Sequence, residues 1–421
     1  VCLLHKFKGT FSYTITKGCF PMNLQKQLRC VYLHAFTSTL RFTDAVWVAL
    51  LAARGFSLAE IGLAEGVFHL TSLLCEVPSG MAADLVGRRR TLIFGGALGV
   101  FSALAMAFAP GLGLICTAMA LKALGYNMLS GTDEALTYDS LKMAGREKDY
   151  IKVDANASIC MKIATALGSL ASLLAGVLRY AGYYLADAVS ALLSALAAAR
   201  LEEPIVTDEQ AARERHTLRE LPARLRVHIL DSADCLRGSA LARRLIAADA
   251  VISLPSYLTS MFVQQRLTEQ GGAMEWLFLP GLLAGAAGMA GTALGRRLHP
   301  KTLRGLYFAC ALTIGVGALL AGAAPAWACA VGPMLVQGAL AVWFLHSMQR
   351  LNEAISSDRR ATIISVDSMA YSLLMIPASP LVGWLGDAAG SAGAGLCLLG
   401  AAVAASGLAA AHKTRYNDRG A

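Results

Sequence analysis

The sequence has few charged side chains for its length. Of its 421 residues, 15% are Asp, Glu, Lys or Arg, whereas a soluble protein has about 25%. Hydrophobic residues make up 56%, and the mean hydropathy is +0.53. This composition excludes an ordinary soluble domain and predicts a protein that crosses a lipid bilayer several times. The net charge of +9 then indicates basic loops beside a membrane rather than a nucleic-acid surface.

The sequence also lacks the motifs of several chemical classes. Its ten cysteines form no CxxC pair and no metal-ligand spacing, so we expect no disulfide and no metal site. No G-x-x-x-x-G-K-S/T loop is present, which argues against a pump driven by ATP. No segment has the composition of a soluble catalytic domain. The sequence therefore predicts a protein that is not an enzyme and needs no cofactor.

Long apolar runs are what the sequence has instead. A membrane-spanning helix needs about 20 mostly apolar residues. Twelve runs are long enough, and they predict an all-α polytopic membrane protein with twelve transmembrane helices. The runs cover residues 31–52, 58–79, 92–110, 112–131, 154–178, 181–199, 244–264, 274–294, 303–323, 326–346, 362–386 and 391–411.

Basic residues are distributed unevenly between the two ends of these spans. With the N-terminus inside, the cytoplasmic segments after Met22 carry 28 Lys and Arg residues. The outer loops carry only Arg54, Arg179 and Arg266. Because cytoplasmic loops are enriched in Lys and Arg, this asymmetry places both termini in the cytoplasm. We expect a multi-pass, monomeric protein of a bacterial inner membrane.

An internal repeat divides the spans into two sets of six. Gly87-Arg88-Arg89 recurs as Gly295-Arg296-Arg297, in each case after the second span of its set. Val153-Asp154 recurs in the same way as Val366-Asp367. Folds built from such repeats place the substrate site between the two halves. The predicted halves are residues 22–200 and 244–412.

Three other segments flank or join the halves. Residues 1–21 lack an apolar run long enough for a signal peptide, so we expect a disordered extension or a start-site artefact, with Met22 as the true start. Residues 201–243 form a charged cytoplasmic linker in which apolar residues recur at helical spacing. An interfacial amphipathic helix and a flexible linker both fit that pattern. Residues 413–421 are predicted to form a cytoplasmic tail.

The turn between the second and third spans has the most distinctive sequence, EVPSGMAADLVGRRR, at residues 76–90. Small residues suit a tight turn between long helices, and three adjacent arginines cannot cheaply enter hydrocarbon. The pattern resembles the signature loop of the major facilitator superfamily, G-x-x-x-D-x-x-G-R-x-R, although Leu85 stands where that family often has a basic residue. The matching residues, which the resemblance assigns to the gate, are Gly80, Asp84, Gly87, Arg88 and Arg90.

The resemblance covers nearly all of residues 30–412. Segments 130–141 and 350–369 look like the loops after spans 4 and 10 in a bacterial efflux-like branch of the family. The resemblance implies secondary transport by alternating access, through a central cavity between the halves. Two departures argue against a standard drug–proton antiporter. Lys122 stands without the R-x-x-Q-G motif of the fourth span, and the fifth span has no G-P pair.

Ionisable residues inside the spans are the candidates for chemistry, because they are expensive in hydrocarbon. Glu65 and His69 share one face of the second span and, with Asp44, are the candidates for carrying a coupling proton. Arg41 lies one predicted helical turn from Asp44, so the two could instead only neutralise each other. The candidates for lining a substrate cavity are Arg41, Lys122, Tyr126, Ser256, Gln337, Trp343 and Tyr371.

Two further carboxylates, Asp154 and Asp367, open predicted spans. A carboxylate stabilises the N-terminus of a helix, so we expect both to act as helix-start residues.

These observations favour a transporter that exports a small, partly apolar solute in exchange for protons. Its partners would be that small-molecule substrate, the coupling ion H⁺ and the lipid bilayer, with no nucleic acid. Two alternatives stay open. Arg41 and Lys122 would suit an anionic substrate, which favours an importer that carries a polar nutrient with H⁺ or Na⁺. A membrane sensor or assembly factor that kept the fold would depend mainly on the linker.

Overall fold

The computed structural model describes residues 6–7, 10–11, 22–206, 237–354 and 360–417. Ahead of the helices, strands β1 (Lys6–Phe7) and β2 (Thr10–Phe11) pair in antiparallel fashion. The other residues of the predicted extension 1–21, most of the linker and the last residues of the tail lie outside the described residues. The disordered extension and the linker helix therefore stay predictions.

The rest of the described chain is helical, as the apolar runs predict. Eleven helices in this part of the chain are long and apolar enough to cross a membrane, and the first helix, α1, is broken into two shorter pieces. The predicted all-α polytopic fold is confirmed. The helices are α1 (Leu24–Thr39 and Trp47–Ala52), α2 (Leu58–Val86), α3 (Arg88–Ala107), α4 (Leu112–Leu129 and Thr132–Met143), α5 (Tyr150–Leu170), α6 (Tyr180–Ala199), α7 (Ala240–Glu269), α8 (Phe278–Gly295), α9 (Leu303–Ala323), α10 (Ala326–Cys329 and Val331–Glu353), α11 (Arg360–Ala389) and α12 (Ala392–Asn417). The 3-10 turns Glu147–Asp149, Ala171–Leu174 and Met274–Leu277 adjoin α5 and α8.

Helix α2 is longer than the sequence predicts. It runs past residue 79, where the predicted span ends, and continues to Val86 with Pro78 inside it. Gly80 and Asp84 therefore lie in a helix and not in a loop. The turn into α3 is Gly87 alone, whose φ of 105° suits a residue without a Cβ atom. The predicted loop is thus a one-residue break between two helices.

Helix α1 is interrupted between Leu40 and Val46, where the sequence predicts a continuous span. Side chains from other helices bind the backbone groups that the break leaves free. The carboxylate of Asp187, in α6, accepts hydrogen bonds from Phe42 N at 2.6 Å and from Thr43 Oγ1 at 2.5 Å. Irregular backbone inside a membrane is tolerated only where protein groups satisfy it in this way.

Gln264 of α7 binds the other side of the same break. Its Oε1 accepts a hydrogen bond from Val48 N at 3.1 Å, and its Nε2 donates to Asp44 O at 2.9 Å. On a third side, Gly168 of α5 lies so close that a Cβ atom there would collide with the carbonyl oxygen of Arg41. The position of the break is therefore set by helices from both halves of the chain.

The helices pack in two groups that correspond to the sequence repeat. In the first group α3 packs on α4 and α6, and in the second group α9 packs on α10 and α12. Small residues permit these close contacts: a Cβ on Gly96 would touch Ala195, and Gly315 faces Gly400. Between the groups, α2 packs along α11. The remaining space between the groups forms the central cavity.

Candidate functional site

A cavity of about 670 Å³ lies between the two groups of helices. Its walls come from α1, α2, α4 and α5 in the first group and from α7 and α11 in the second. This volume is in the range of sites that bind small organic molecules. Its polar lining is Ser38, Thr39, Arg41, Asp44, Glu65, His69, Ser72, Lys122, Tyr126, Ser130, Asp133, Glu134, Tyr257, Ser260, Gln264, Ser368, Tyr371 and Ser372, and its larger apolar side chains are Trp47, Phe68, Leu129, Met161 and Met261.

Most of the ionisable residues singled out from the sequence line this cavity. They come from four helices far apart in sequence, and spacing alone could not place them together. For example, the rings of His69 and Tyr371 have centroids 5.4 Å apart although they belong to α2 and α11. The predicted residues that the structure brings together are Arg41, Asp44, Glu65, His69, Lys122, Tyr126 and Tyr371.

Three of the predicted cavity residues do not line the cavity. Ser256 donates a hydrogen bond to Gln337 at 2.7 Å, which joins α7 to α10. Trp343 is buried, and its Nε1 donates to Asp249 Oδ1 at 2.5 Å. Because this face of α7 packs against α10, these side chains hold the second group of helices together rather than facing the central space.

Two of the residues that line the cavity, Glu65 and His69, form a buried ionisable pair. Glu65 Oε1 and His69 Nε2 are 3.3 Å apart on one face of α2, as their i, i+4 spacing predicts. Glu65 and His69 are 2% and 6% exposed, so water screens their interaction poorly. Both also reach the opposite group of helices. Tyr257 of α7 donates to Glu65 Oε2 at 3.2 Å, and Ser372 Oγ of α11 lies 3.3 Å from His69 Nδ1.

Tyr257 and Ser372 were not identified from the sequence. Tyr257 lies two turns before Gln264, so its position on the cavity face of α7 was available from helical spacing. A single tyrosine or serine in an apolar helix is usually a packing residue, and only the approach of α7 and α11 to α2 shows their contacts. Asp187 carried a stronger signal, because an acidic residue inside a span is rarely without a partner.

Arg41 and Asp44 are arranged differently from the prediction. They lie in the break of α1, so their separation of three residues does not stack them along a helix. Among the described residues, Asp44 forms no ion pair with Arg41 or with Lys122. The described residues therefore show no direct pairing of these two side chains, and their mutual neutralisation stays a prediction. The cavity instead contains two cations and several carboxylates that can face a solute.

The signature residues lie outside the cavity, at the turn between α2 and α3. Arg88 forms an ion pair with Asp139 of α4 and donates to Ala135 O at 2.6 Å. The carboxylate of Glu203, just after α6, accepts from Arg88 N at 2.9 Å and from Arg89 N at 2.7 Å. Glu203 thus places a negative charge at the N-terminus of α3. The turn is fastened to α4 and to the end of α6, all within the first group of helices.

Glu203 and Asp139 could not be identified from the signature pattern, because both lie far from it in sequence. Asp84 and Arg90, which match the pattern, are exposed, and Gly80 has open space around it. The predicted gate residues therefore lie at one end of the bundle, at the end of α2, in the Gly87 turn and at the start of α3, and none of them lines the central cavity.

The two helix-start carboxylates are placed further into their helices than predicted. Helix α5 begins at Tyr150 and α11 at Arg360, so neither Asp154 nor Asp367 is in a first turn. Asp367 lies within electrostatic range of Asp249, and Asp249 Oδ2 and Asp367 Oδ1 are buried without a hydrogen-bond partner. Capping is therefore not the role of either residue in this structure.

The opposite end of the bundle is closed by contacts between the two groups. Asp387 of α11 accepts from Leu58 N at 2.9 Å and from Ala59 N at 2.8 Å, so it caps the start of α2. Ser379 Oγ donates to Gly62 O at 2.9 Å, and a Cβ on Gly62 would collide with the backbone of Ser379. The cavity extends the other way, towards Asp133 and Glu134 near the α2–α3 turn.

The chain was compared with known proteins. The family model described as Major Facilitator Superfamily matches residues 30–372. No curated protein matches the sequence significantly. Among solved structures, a mutant of the nucleoside transporter NupG is similar with a TM-score of 0.73 and 15% identity, over 93% of this chain and 98% of that one.

Two other solved structures give the same result. A mutant of the peptide transporter POT has a TM-score of 0.66 and 15% identity, over 94% of this chain and 95% of that one. A D-xylose-proton symporter has a TM-score of 0.62 and 14% identity, over 92% of this chain and 96% of that one. At these identities the likeness concerns the fold, whereas the family model covers most of the sequence. The chain therefore belongs to the Major Facilitator Superfamily and is a membrane transporter, not an enzyme.

Proposed function

We propose that the protein exchanges protons for a small, partly apolar organic solute by alternating access, and that the Glu65–His69 pair is its proton site. The observation that carries the proposal is the reach of this pair across the central cavity. Glu65 accepts a hydrogen bond from Tyr257 of α7, and His69 lies beside Ser372 of α11. A change of protonation at either residue changes contacts between the two halves.

The coupling follows from elementary electrostatics. With Glu65 ionised and His69 protonated, their attraction is strong because the pair is shielded from water. Neutralising Glu65 removes that attraction and weakens its acceptance of the Tyr257 hydrogen bond. Helix α7 of the second half then loses part of its attachment to α2. A proton bound here therefore favours separation of the halves at the end that Asp387 closes, and loss of the proton favours closure.

The cavity also supplies the recognition chemistry. Arg41 and Lys122 provide positive charge, while Trp47, Phe68 and Tyr371 offer aromatic surface. This combination suits a solute with an acidic group and an apolar body. We place the Gly87 end of the bundle in the cytoplasm of a bacterial inner membrane, because Lys and Arg concentrate there. The cavity then faces the cytoplasm, and the transporter works as a monomer.

Export rests on the resemblance of residues 130–141 and 350–369 to an efflux-like branch. The second candidate is import of a polar or anionic nutrient together with H⁺, which the charges of Arg41 and Lys122 favour. Both use the same cavity and the same proton site. They differ in the polarity of the solute and in whether proton and solute move in opposite directions or in the same direction.

Reconstitution into acid-loaded proteoliposomes tests the proposal. Lumenal pH is recorded while organic anions, lipophilic cations, sugars and amino acids are added outside. A solute-dependent rise of lumenal pH establishes exchange, and a fall establishes co-transport and import. Solute flux without proton movement would overturn the coupling. Absence of flux with every compound, in protein that melts cooperatively, would favour the sensor alternative.

Glu65→Gln tests the proposed proton site, because it keeps the shape of the side chain and removes its charge. We expect solute binding to persist and the pH gradient to lose its effect on flux. Glu60→Gln is the control on the same helix, since Gln preserves the capping box that Glu60 forms with Ser57. A Glu65→Gln protein that still follows the pH gradient would remove Glu65 from the mechanism.

A further inference from the structure

A second large depression lies on the outer surface of the second group of helices. It encloses about 770 Å³ between α8, α9 and α10, separate from the central cavity. The exposed alanines Ala286 and Ala290 line it together with Gly338. Leu294 and Leu335 also line it. Small residues in membrane helices usually admit a neighbouring helix, but among the described residues none fills this groove.

Four cations lie at one end of the groove. Arg296, Arg297, Lys301 and Arg304 follow α8 or begin α9, and all four are exposed. Leu298 and Leu306, which line the groove, are each within two residues of one of these cations. No ion pair joins any of the four to a carboxylate within residues 22–206, 237–354 and 360–417. The groove thus runs from an uncharged interior to a rim of exposed positive charge.

We propose that this groove binds an anionic phospholipid, with its acyl chains between α8, α9 and α10 and its phosphate against the four cations. The occupant must be apolar along most of its length and negatively charged at one end, which is the chemistry of such a lipid. Basic clusters at membrane helix ends attract anionic headgroups, and an arginine can hold a phosphate through two parallel hydrogen bonds. A second copy of the chain would match the apolar part but would need a carboxylate at the rim.

Native mass spectrometry of the purified full chain in detergent micelles tests the charge requirement. Phosphatidylglycerol and phosphatidylcholine with the same acyl chains are titrated separately, and bound adducts are counted. We expect phosphatidylglycerol to bind more tightly. In R296Q/R297Q/R304Q its binding should weaken about 100-fold, since each Lys or Arg near an anionic headgroup contributes roughly fivefold.

The control is K142Q/K148Q/K152Q, which removes three exposed lysines beside α4 and α5. It should keep the preference for phosphatidylglycerol. The lipid proposal is overturned if the two triple variants bind this lipid equally, or if wild-type protein shows no preference. A dimer that forms without bound lipid would overturn it in favour of a second copy.

The apolar requirement is tested by Ala290→Phe, which adds a large side chain to the lining of the groove. Bound phosphatidylglycerol should fall at least tenfold, while Leu312→Phe, on an exposed position of α9 outside the groove, should leave it unchanged. Glycerol phosphate, which has the headgroup chemistry without acyl chains, should not displace the lipid. Displacement at similar concentration would reduce the site to a surface anion site and overturn the proposal.

Discussion

The two halves of the molecule use the same three residues, Gly-Arg-Arg, in different ways. After α2, Arg88 is paired with Asp139, and Glu203 accepts from two backbone N–H groups at the start of α3. After α8, Arg296 and Arg297 are exposed, with no carboxylate in ion-pair range within the described ranges. The repeat reproduces the position of the arginines but not the acids that pair with them. The first turn is held by an ion pair and hydrogen bonds, whereas the second exposes its arginines.

Removing one arginine from each turn tests most directly whether the two turns contribute differently to stability. Arg88→Ala removes the ion pair that Arg88 forms with the largely buried Asp139, so we expect about 3 kcal/mol loss of unfolding free energy. Arg296→Ala should cost within about 0.5 kcal/mol, as for an ordinary surface change. Denaturant unfolding in micelles measures both. Equal losses would show that the two turns are equivalent after all.

A second contrast lies between the first helices of the two halves. Helix α1 is broken, whereas α7 is continuous. Asp187→Ala removes the acceptor for Phe42 N and Thr43 Oγ1, and leaves one part-buried and one buried donor unpaired. We expect a loss of about 2 kcal/mol, since each unpaired buried donor costs about 1–3 kcal/mol before local relaxation. Ser256→Ala, which cuts one hydrogen bond of α7, should cost about 1 kcal/mol. Thermal melting of both variants checks the order, and the reverse order would contradict it.

A third change isolates the backbone part of the fastened turn. Glu203→Ala removes the negative charge at the start of α3, and we expect a loss of about 1 kcal/mol. Its neighbour Glu202 is exposed and serves as the control, with Glu202→Ala expected to be nearly neutral. The same unfolding assay distinguishes them. If the two variants melt alike, the α3 N-terminus is held by something other than this carboxylate.

The smallest expected effect is a shift of conformation rather than of stability. Asp387→Ala removes a cap that α11 provides to α2 only while the closed end is shut. Loss of about 1 kcal/mol of capping corresponds to roughly a fivefold gain of the open population. Spin-label distances between the α3–α4 and α9–α10 turns report it. Asp149→Asn, at the other end, is the control, and unchanged distances in Asp387→Ala would remove the cap from the gating contacts.

The sequence predicted the order of the helices because hydrophobic length and charge asymmetry are local properties. It also placed Glu65 and His69 together, because i, i+4 neighbours on one helix need no tertiary information. The break in α1 was not predictable, since no proline or glycine marks residues 40–46. Its cause is the side chains of Asp187 and Gln264, which come from distant helices.

The misplaced cavity residues have the same origin. Ser256, Gln337 and Trp343 are polar or amphipathic residues in spans, but polarity does not reveal which neighbour a helix face meets. Here α7 presents that face to α10, so Trp343 packs beside Asp249. The extension of α2 to Val86 was missed for a different reason. Small residues and a proline resemble a turn in sequence, yet the helix continues until Gly87, where only a positive φ ends it.

The hydrogen bond between Gln264 and Val48 makes the exchange of the Val48 amide hydrogen a measure of contact between the two halves. Val48 N is near the start of the second piece of α1, so the Gln264 side chain, rather than a helical carbonyl, shields it. When α7 moves away from α1, this amide hydrogen becomes free to exchange with deuterium, while those deeper in either helix stay protected. Its exchange rate therefore reports the fraction of time for which the two halves are separated here. Deuterium exchange at this one backbone amide, measured by mass spectrometry, would follow the opening of the bundle without a known substrate.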